Sequence, residues 1–115
     1  MLNDESHYCP DRSDIIWLNF NPQTGHEQMG KRPAIVLSPK AYNEKVGLAI
    51  ICPITSQKKN YPFEVELPSS LPVQGVILSD QVKSMDWQIR QAEFIYKVDD
   101  YITAQVLQKL NLLLR

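Results

Sequence analysis

Apolar residues in this chain gather in short runs punctuated by proline, asparagine and glycine, a spacing that predicts strands for most of its length and a helix only at the end. Asp14 to Phe20 (DIIWLNF), rich in β-branched and aromatic residues, reads as a first strand. Asn21 to Lys31 is then a long loop opened by Asn-Pro. Arg32 to Ser38 reads as a second strand with Pro33 near its beginning, where a missing N–H does least damage. A turn through Pro39 and Asn43 leads to a third strand, Gly47 to Cys52, ended by Pro53. These three runs are apolar at both odd and even positions, which predicts the buried centre of a curled sheet.

Thr55 to Pro62 (TSQKKNYP) is a polar loop with two lysines, and Phe63 to Leu67 (FEVEL) alternates as an antiparallel strand with one wet face should. Pro68 to Gly75 reads as an irregular connection. Val76 to Ser79 and the segment around Val82 to Arg90 read as further short strands or turns, and Glu93 to Val98 as a last strand. The period then changes. Ile102, Val106, Leu107, Leu110, Leu113 and Leu114 fall at three- and four-residue spacings behind an N-cap at Asp99 or Asp100, one apolar stripe of a helix. The pattern predicts a mainly β fold with some α: a small curled antiparallel sheet or half-open barrel covered by the C-terminal helix.

Length and composition sharpen this only in part. A chain of 115 residues has room for one domain, expected over residues 14–115, after a flexible leader over residues 1–13. Hydrophobic content of 43% with 22% charged residues fits an ordinary globular protein, and no apolar run approaches the roughly 20 residues of a membrane span. The N-terminus MLNDESHYC has neither the basic nor the apolar part of a signal peptide. Cys9 and Cys52 have no companion ligands at metal-site spacing and read as free thiols of a reducing cytoplasm. The formal charge is −1, but the leader holds three acids and one base, leaving 11 bases and 10 acids in residues 14–115. A polyanionic partner therefore needs a local basic patch.

The sequence has no HExxH, CxxC, GxSxG or GxxxxGK, so zinc hydrolase, serine hydrolase and nucleoside-triphosphatase readings lack their parts. What stands out is GHEQMGKRPAIVLS, residues 25 to 38, where Glu27, Gln28 and Arg32 lie between and beside two glycines and Arg32 opens an apolar strand. An arginine where a loop meets a rigid strand is well placed to hold phosphate. Thr55 follows the third strand, so antiparallel pairing would bring it beside Arg32. Metal-free RNA cleavage requires the ribose 2′-OH to attack its own phosphate, with a proton acceptor, a donor and stabilised non-bridging oxygens. Arg32 can fork onto the phosphate and Thr55 can donate a neutral hydrogen bond to the same group; Glu27 can be the base, or a carboxylate that orients Arg32. Taken singly, Arg32 and Glu27 also read as a surface ion pair, Thr55 as a turn residue and His26 as a spare base. Lys58 and Lys59 read as the rim of a groove, with Lys83 and Arg90 further out, and Phe20 as a ring to stack on a base. Trp17, Tyr61, Trp87 and Cys52 read as core.

These segments together resemble the MazF/PemK family of toxin endoribonucleases. DIIWLNFNPQTGHEQMGKRPAIVLSP is similar to that family's first strand, substrate loop and second strand, PITSQ to its threonine segment, and YPFEV and SDQVKSMDW to its later strands. Ser13, where many members have glycine, and the longer acidic leader depart from the pattern. The resemblance implies Arg32, Thr55 and Glu27 as the catalytic positions, with RNA contacts from Phe20, Asn21, Gln28, Lys31, Ser56, Lys58, Lys59, Gln81, Lys83 and Arg90. It implies sequence-specific cleavage of single-stranded RNA to 2′,3′-cyclic phosphate and 5′-hydroxyl ends without metal or cofactor, in the cytoplasm, by a homodimer that inhibits translation and growth. An antitoxin with an extended acidic tail would be the partner, and DNA would be reached only through it. Two alternatives stay open at this point: a non-enzymatic gyrase inhibitor of the CcdB type, on the same SH3-like architecture, and a barrel-like interaction module.

Overall fold

The computed structural model describes residues 7–21 and 30–115, so the expectations placed on Gly25, His26, Glu27 and Gln28 lie outside the described residues. Seven strands form one antiparallel sheet: β1 Asp14–Asn19, β2 Lys31–Val36, β3 Leu48–Thr55, β4 Glu64–Glu66, β5 Val76–Leu78, β6 Lys83–Asp86 and β7 Glu93–Lys97. The helix α1, Lys40–Val46, lies between β2 and β3, and α2, Asp100–Asn111, ends the chain. Strand order is β4-β5-β3-β2-β1-β7, with β6 also paired to β3. The sheet is open, with β4 and β7 at its edges, and so does not close into a barrel.

Both faces of the centre are covered, as the unbroken apolar runs require. On one face Ile15, Ile35, Cys52, Ile54 and Ile77 pack against Ile102, Val106 and Leu110 of α2. On the other, Ile16, Leu18, Ala34, Val36 and Ile51 pack with Met85, Trp87 and Cys9. Each large aliphatic side chain so buried contributes about 1.5–3 kcal/mol relative to exposure.

Four expectations are corrected. The turn at Pro39 to Asn43 is the helix α1, and Asn43, a poor helix former, is fully buried because its side chain is spent on tertiary bonds. Its Nδ2 donates to the carbonyls of Pro10 at 2.8 Å and Ser38 at 3.0 Å, and its backbone carbonyl accepts Trp87 Nε1 at 3.0 Å. Pro53 does not end β3, which runs on to Thr55. On its non-β2 edge β3 pairs with β6 through Ile51 and with β5 from Ile54 onward, so the proline falls between two ladders where no N–H is needed. Of the residues placed in the leader, Cys9 and Pro10 are buried, and Tyr8 Oη donates to Asp14 Oδ2 at 2.6 Å. Trp17 is 37% exposed rather than core, and of the stripe expected for the terminal helix Leu107 faces outward while Leu113 and Leu114 lie beyond the end of α2 and are exposed.

Candidate active site

The site begins with the β2–β3 ladder. Ala34 pairs with Pro53, Ile35 with Cys52 and Val36 with Ile51, and Arg32 and Thr55 stand two positions beyond the last of these pairs. Directly opposed residues of an antiparallel pair point to the same face. The Leu37 N–H donates to the Ile50 carbonyl at 2.8 Å, and strand alternation puts Arg32 and Thr55 on the same face as Ala34 and Pro53. On the far side of β3, Thr55 pairs with Val76, and Val76 pairs with Glu66. Arg32, Thr55, Val76 and Glu66 thus form one row across β2, β3, β5 and β4. Arg32 is exposed and Thr55 half-buried. Thr55 Oγ1 accepts the Gln57 N–H at 3.1 Å, which fixes the hydroxyl and leaves its proton to be donated outward.

Glycines back both residues, for different reasons. A β-carbon on Gly75, whose φ is +121°, would lie 2.2 Å from the Thr55 carbonyl oxygen. No other residue fits there. A β-carbon on Gly30 would lie 2.5 Å from Asn19 Oδ1, and the Phe20 N–H donates to the Gly30 carbonyl at 2.7 Å, closing the base of the β1–β2 hairpin just before Arg32. Arg90 acts on that same base: its Nη1 donates to the carbonyls of Asn19 at 3.2 Å and Phe20 at 3.0 Å. The guanidinium expected at a groove edge is thus engaged with the hairpin backbone.

The other expected contacts divide by pairing. Lys58 Nζ lies 2.9 Å from Glu66 Oε1, and Lys31 Nζ 3.1 Å from Glu93 Oε1. The backbone N–H groups of Lys59 and Asn60 both donate to the Glu64 carboxylate, which tethers the polar loop. Within the described residues Arg32, Lys59 and Lys83 make no ion pair. Lys83 pairs with Ile51, which puts it on the face of Arg32 and Thr55. Ser56, Gln81 and Asn21 are exposed, and Phe20 packs half-buried against the Leu18 and Trp87 cluster. Burial pushes the Cys52 thiol up to about 12 and raises Cys9 as well, so neither is a ready nucleophile. Among the described residues no group of three or more His, Cys, Asp or Glu is placed to hold a metal ion, and no helix is long and apolar enough to cross a membrane.

Two cavities flank this face. One of about 730 Å³ lies among Tyr8, Cys9, Lys31, Glu44, Trp87 and Gln91 and does not reach Arg32 or Thr55. The other, about 530 Å³, is lined by Ser56, Glu66, Gln74, Gly75 and Val76, neighbours or row partners of Thr55. Gly75 and Gln74 escaped the sequence reading. A glycine before an apolar run signals a turn, but its approach to Thr55 depends on the β3–β5 pairing.

An open antiparallel sheet with a terminal helix on one face and an arginine–threonine pair on the other is the frame of a small binding or nucleolytic protein. Residues 11–114 match the model of the PemK-like, MazF-like toxins of type II toxin–antitoxin systems, and the chain belongs to that family. It is 53% identical over 87 residues, 76% of this chain and 78% of the relative, to the endoribonuclease toxin MazF of Escherichia coli K12. The crystal structure of MazF from Deinococcus radiodurans (Form-I) superposes with a TM-score of 0.84 at 52% identity, covering 93% of this chain and 97% of that one. A MazE–MazF crystal structure from the same organism (Form-II) gives 0.84 at 47%, covering 93% and 96%. The family match favours a toxin of this kind over the CcdB-type and interaction-module alternatives.

Proposed function

We propose that this chain is the toxin of a type II toxin–antitoxin pair: a sequence-specific endoribonuclease that cuts single-stranded RNA, without metal, to 2′,3′-cyclic phosphate and 5′-hydroxyl ends. The observation that carries this is the β2–β3 register, which puts Arg32 and Thr55 on one face just beyond the last ladder pair, Ala34–Pro53. A phosphate resting there meets a planar, permanently charged guanidinium and a hydroxyl whose proton points away from its own backbone partner. Both groups donate to non-bridging oxygens, whose charge grows as the 2′-oxygen attacks phosphorus and the 5′-oxygen departs with a proton taken from water, and this is the stabilisation with the greatest leverage on rate. Glu27, five residues before Arg32 in the sequence, takes the 2′-hydroxyl proton or holds the guanidinium in place.

Lys59 and Lys83, unpaired among the described residues, carry the flanking phosphates, with Lys58 joining when it leaves Glu66. The reading further implies a homodimer in the cytoplasm and an antitoxin whose acidic tail competes for the same cations; MazE seated on MazF in the related structures supports an antitoxin partner. Growth arrest would follow from cutting messages. Incubating a long RNA with the purified protein in excess EDTA and sequencing the 5′-hydroxyl ends tests the reading. Cleavage at a recurring short sequence is expected; cleavage only after magnesium is restored would overturn the mechanism.

A further inference from the structure

Two acids of β4 hold the polar loop that follows Thr55. Val65 between them is buried in the cluster under α2, so Glu64 and Glu66 alternate onto the opposite face, and the pairs Glu66–Val76 and Val76–Thr55 join Glu66 to Thr55. Their tasks differ. Glu64 spends both carboxylate oxygens on backbone, Oε2 on the Lys59 N–H and Oε1 on the Asn60 N–H, each at 2.9 Å. Asn60 is left-handed, with φ +62°, which lets two successive N–H groups converge on one anion. Glu66 instead holds a side chain: Lys58 Nζ lies 2.9 Å from its Oε1, with 45% of the lysine side chain and 64% of the glutamate side chain exposed. The loop backbone is thus pinned, while Lys58 leaves Glu66 by rotation of its own side chain alone. An exposed pair of this kind is weak, so an anion arriving from solvent can replace the carboxylate.

Resting on the ribonuclease reading for the nature of the polyanion, we propose that Glu66 is a built-in competitor of the substrate: its carboxylate occupies Lys58 in the free protein, and a phosphate of the RNA must displace it on binding. To an ammonium the two ligands are alike, each a charged oxygen acceptor. The cost falls on every strand equally, because a lysine on phosphate reads charge and not sequence. Glu66 therefore lowers affinity for RNA in general and leaves the choice of cleavage site alone. It acts through Lys58 and touches no reacting atom, so its effect is on binding and not on the chemical step.

A double-mutant cycle on the whole protein tests it, with circular dichroism to confirm that each variant is folded. In fluorescence-anisotropy titrations of an uncleavable 2′-O-methyl RNA, Glu66→Gln should bind about two- to fivefold more tightly than wild type at low salt, the range of an exposed ion pair, and the gain should fade as salt is raised. In a Lys58→Gln background the same change should move affinity by less than about 1.5-fold, because the competitor has nothing left to hold. With a cleavable RNA, Glu66→Gln should lower KM by the factor by which it tightens binding, leave kcat unaltered and cut at the same sites as wild type. Inorganic polyphosphate, a polyanion without ribose or base, is titrated in parallel. No gain from Glu66→Gln with either polyanion, or an equal gain with and without Lys58, would overturn the proposal. A protein that neither binds nor cuts RNA, yet shows the cycle with polyphosphate, would sink the ribonuclease reading and leave the competition at Lys58 standing.

Discussion

Gly75 shows how little room the strands around Thr55 allow. At φ +121° with its α-carbon pressed on the Thr55 backbone, it cannot carry a methyl group without parting β5 from β3. Gly75→Ala should therefore destabilise the protein by about 1–3 kcal/mol and displace Thr55. A lowered melting temperature together with slower cleavage by the fraction still folded is the expected result. Arg32→Ala and Thr55→Ala act differently. Neither side chain is part of either apolar cluster, so both variants should fold normally and lose about two to three orders of magnitude in cleavage rate, the scale for one charge-stabilising donor. Thr55→Ser, which keeps the hydroxyl, should recover most of the loss, whereas Arg32→Lys, which cannot fork onto phosphate, should recover little. Near wild-type rates for either alanine variant would remove that residue from the chemistry.

At the scale of elements, α1 is a helix capped from elsewhere. Its own N-cap position is Pro39, which has no side chain to offer, and the first N–H of the helix, that of Lys40, is taken at 2.9 Å by Asp11 Oδ1 from the N-terminal segment. This bond, chiefly, holds the Asp11 carboxyl below its ordinary value, helped by the Arg12 N–H and the nearby Lys97. A folded-state value lower than the unfolded one means stability that is complete above the ordinary aspartate range and disappears as pH falls through the depressed value. Asp11→Ala should thus cost about 1 kcal/mol at neutral pH, and the gap between variant and wild type should close in acid. Urea denaturation across pH checks it; a gap that does not change with pH would exclude the charged cap.

The same helix shows where a sequence reading stops. The strands around Ile15, Ile35 and Ile51 were legible because consecutive apolar residues demand burial on two faces, and the pairing of Arg32 with Thr55 followed from their positions at strand ends. Nothing local could show that Asn43 binds Pro10, that Asp11 serves Lys40, or that Pro53 sits between two ladders. Each is a fact about residues distant in the chain. Trp17 misled for a related reason: an aromatic residue in a strand reads as core, but its neighbour β7 is an edge and leaves the ring partly exposed.

For the molecule as a whole, a formal charge of −1 gives no long-range attraction to a polyanion, so on the proposed ribonuclease reading affinity would come from local cations such as Lys59 and Lys83. Lys59→Glu combined with Lys83→Glu should weaken RNA binding and lower the slope of log affinity against log salt by about 0.7 for each lost phosphate contact. An acidic antitoxin peptide should lose affinity in parallel. Titrations at several salt concentrations decide it, and an unaltered slope for both ligands would move the groove elsewhere. The thiols are a separate test of packing. Cys9 and Cys52 are both buried and unpaired, so iodoacetamide should leave them unmodified in the native protein and alkylate both after denaturation, as read by mass spectrometry.

The row across β2, β3, β5 and β4 also sets a time at which the protein becomes competent. Arg32 leaves the ribosome long before Val76, and β3 has no partner on its far edge until β5 and then β6 are made and folded back upon it. These are pairings between distant segments, which form slowly because the intervening loops must close first. Arginine and threonine can be drawn together by the β2–β3 ladder alone, yet the glycine that braces Thr55 arrives only with β5. Until β5 has been made and folded back, then, the growing chain holds Arg32 and Thr55 in an unbraced arrangement.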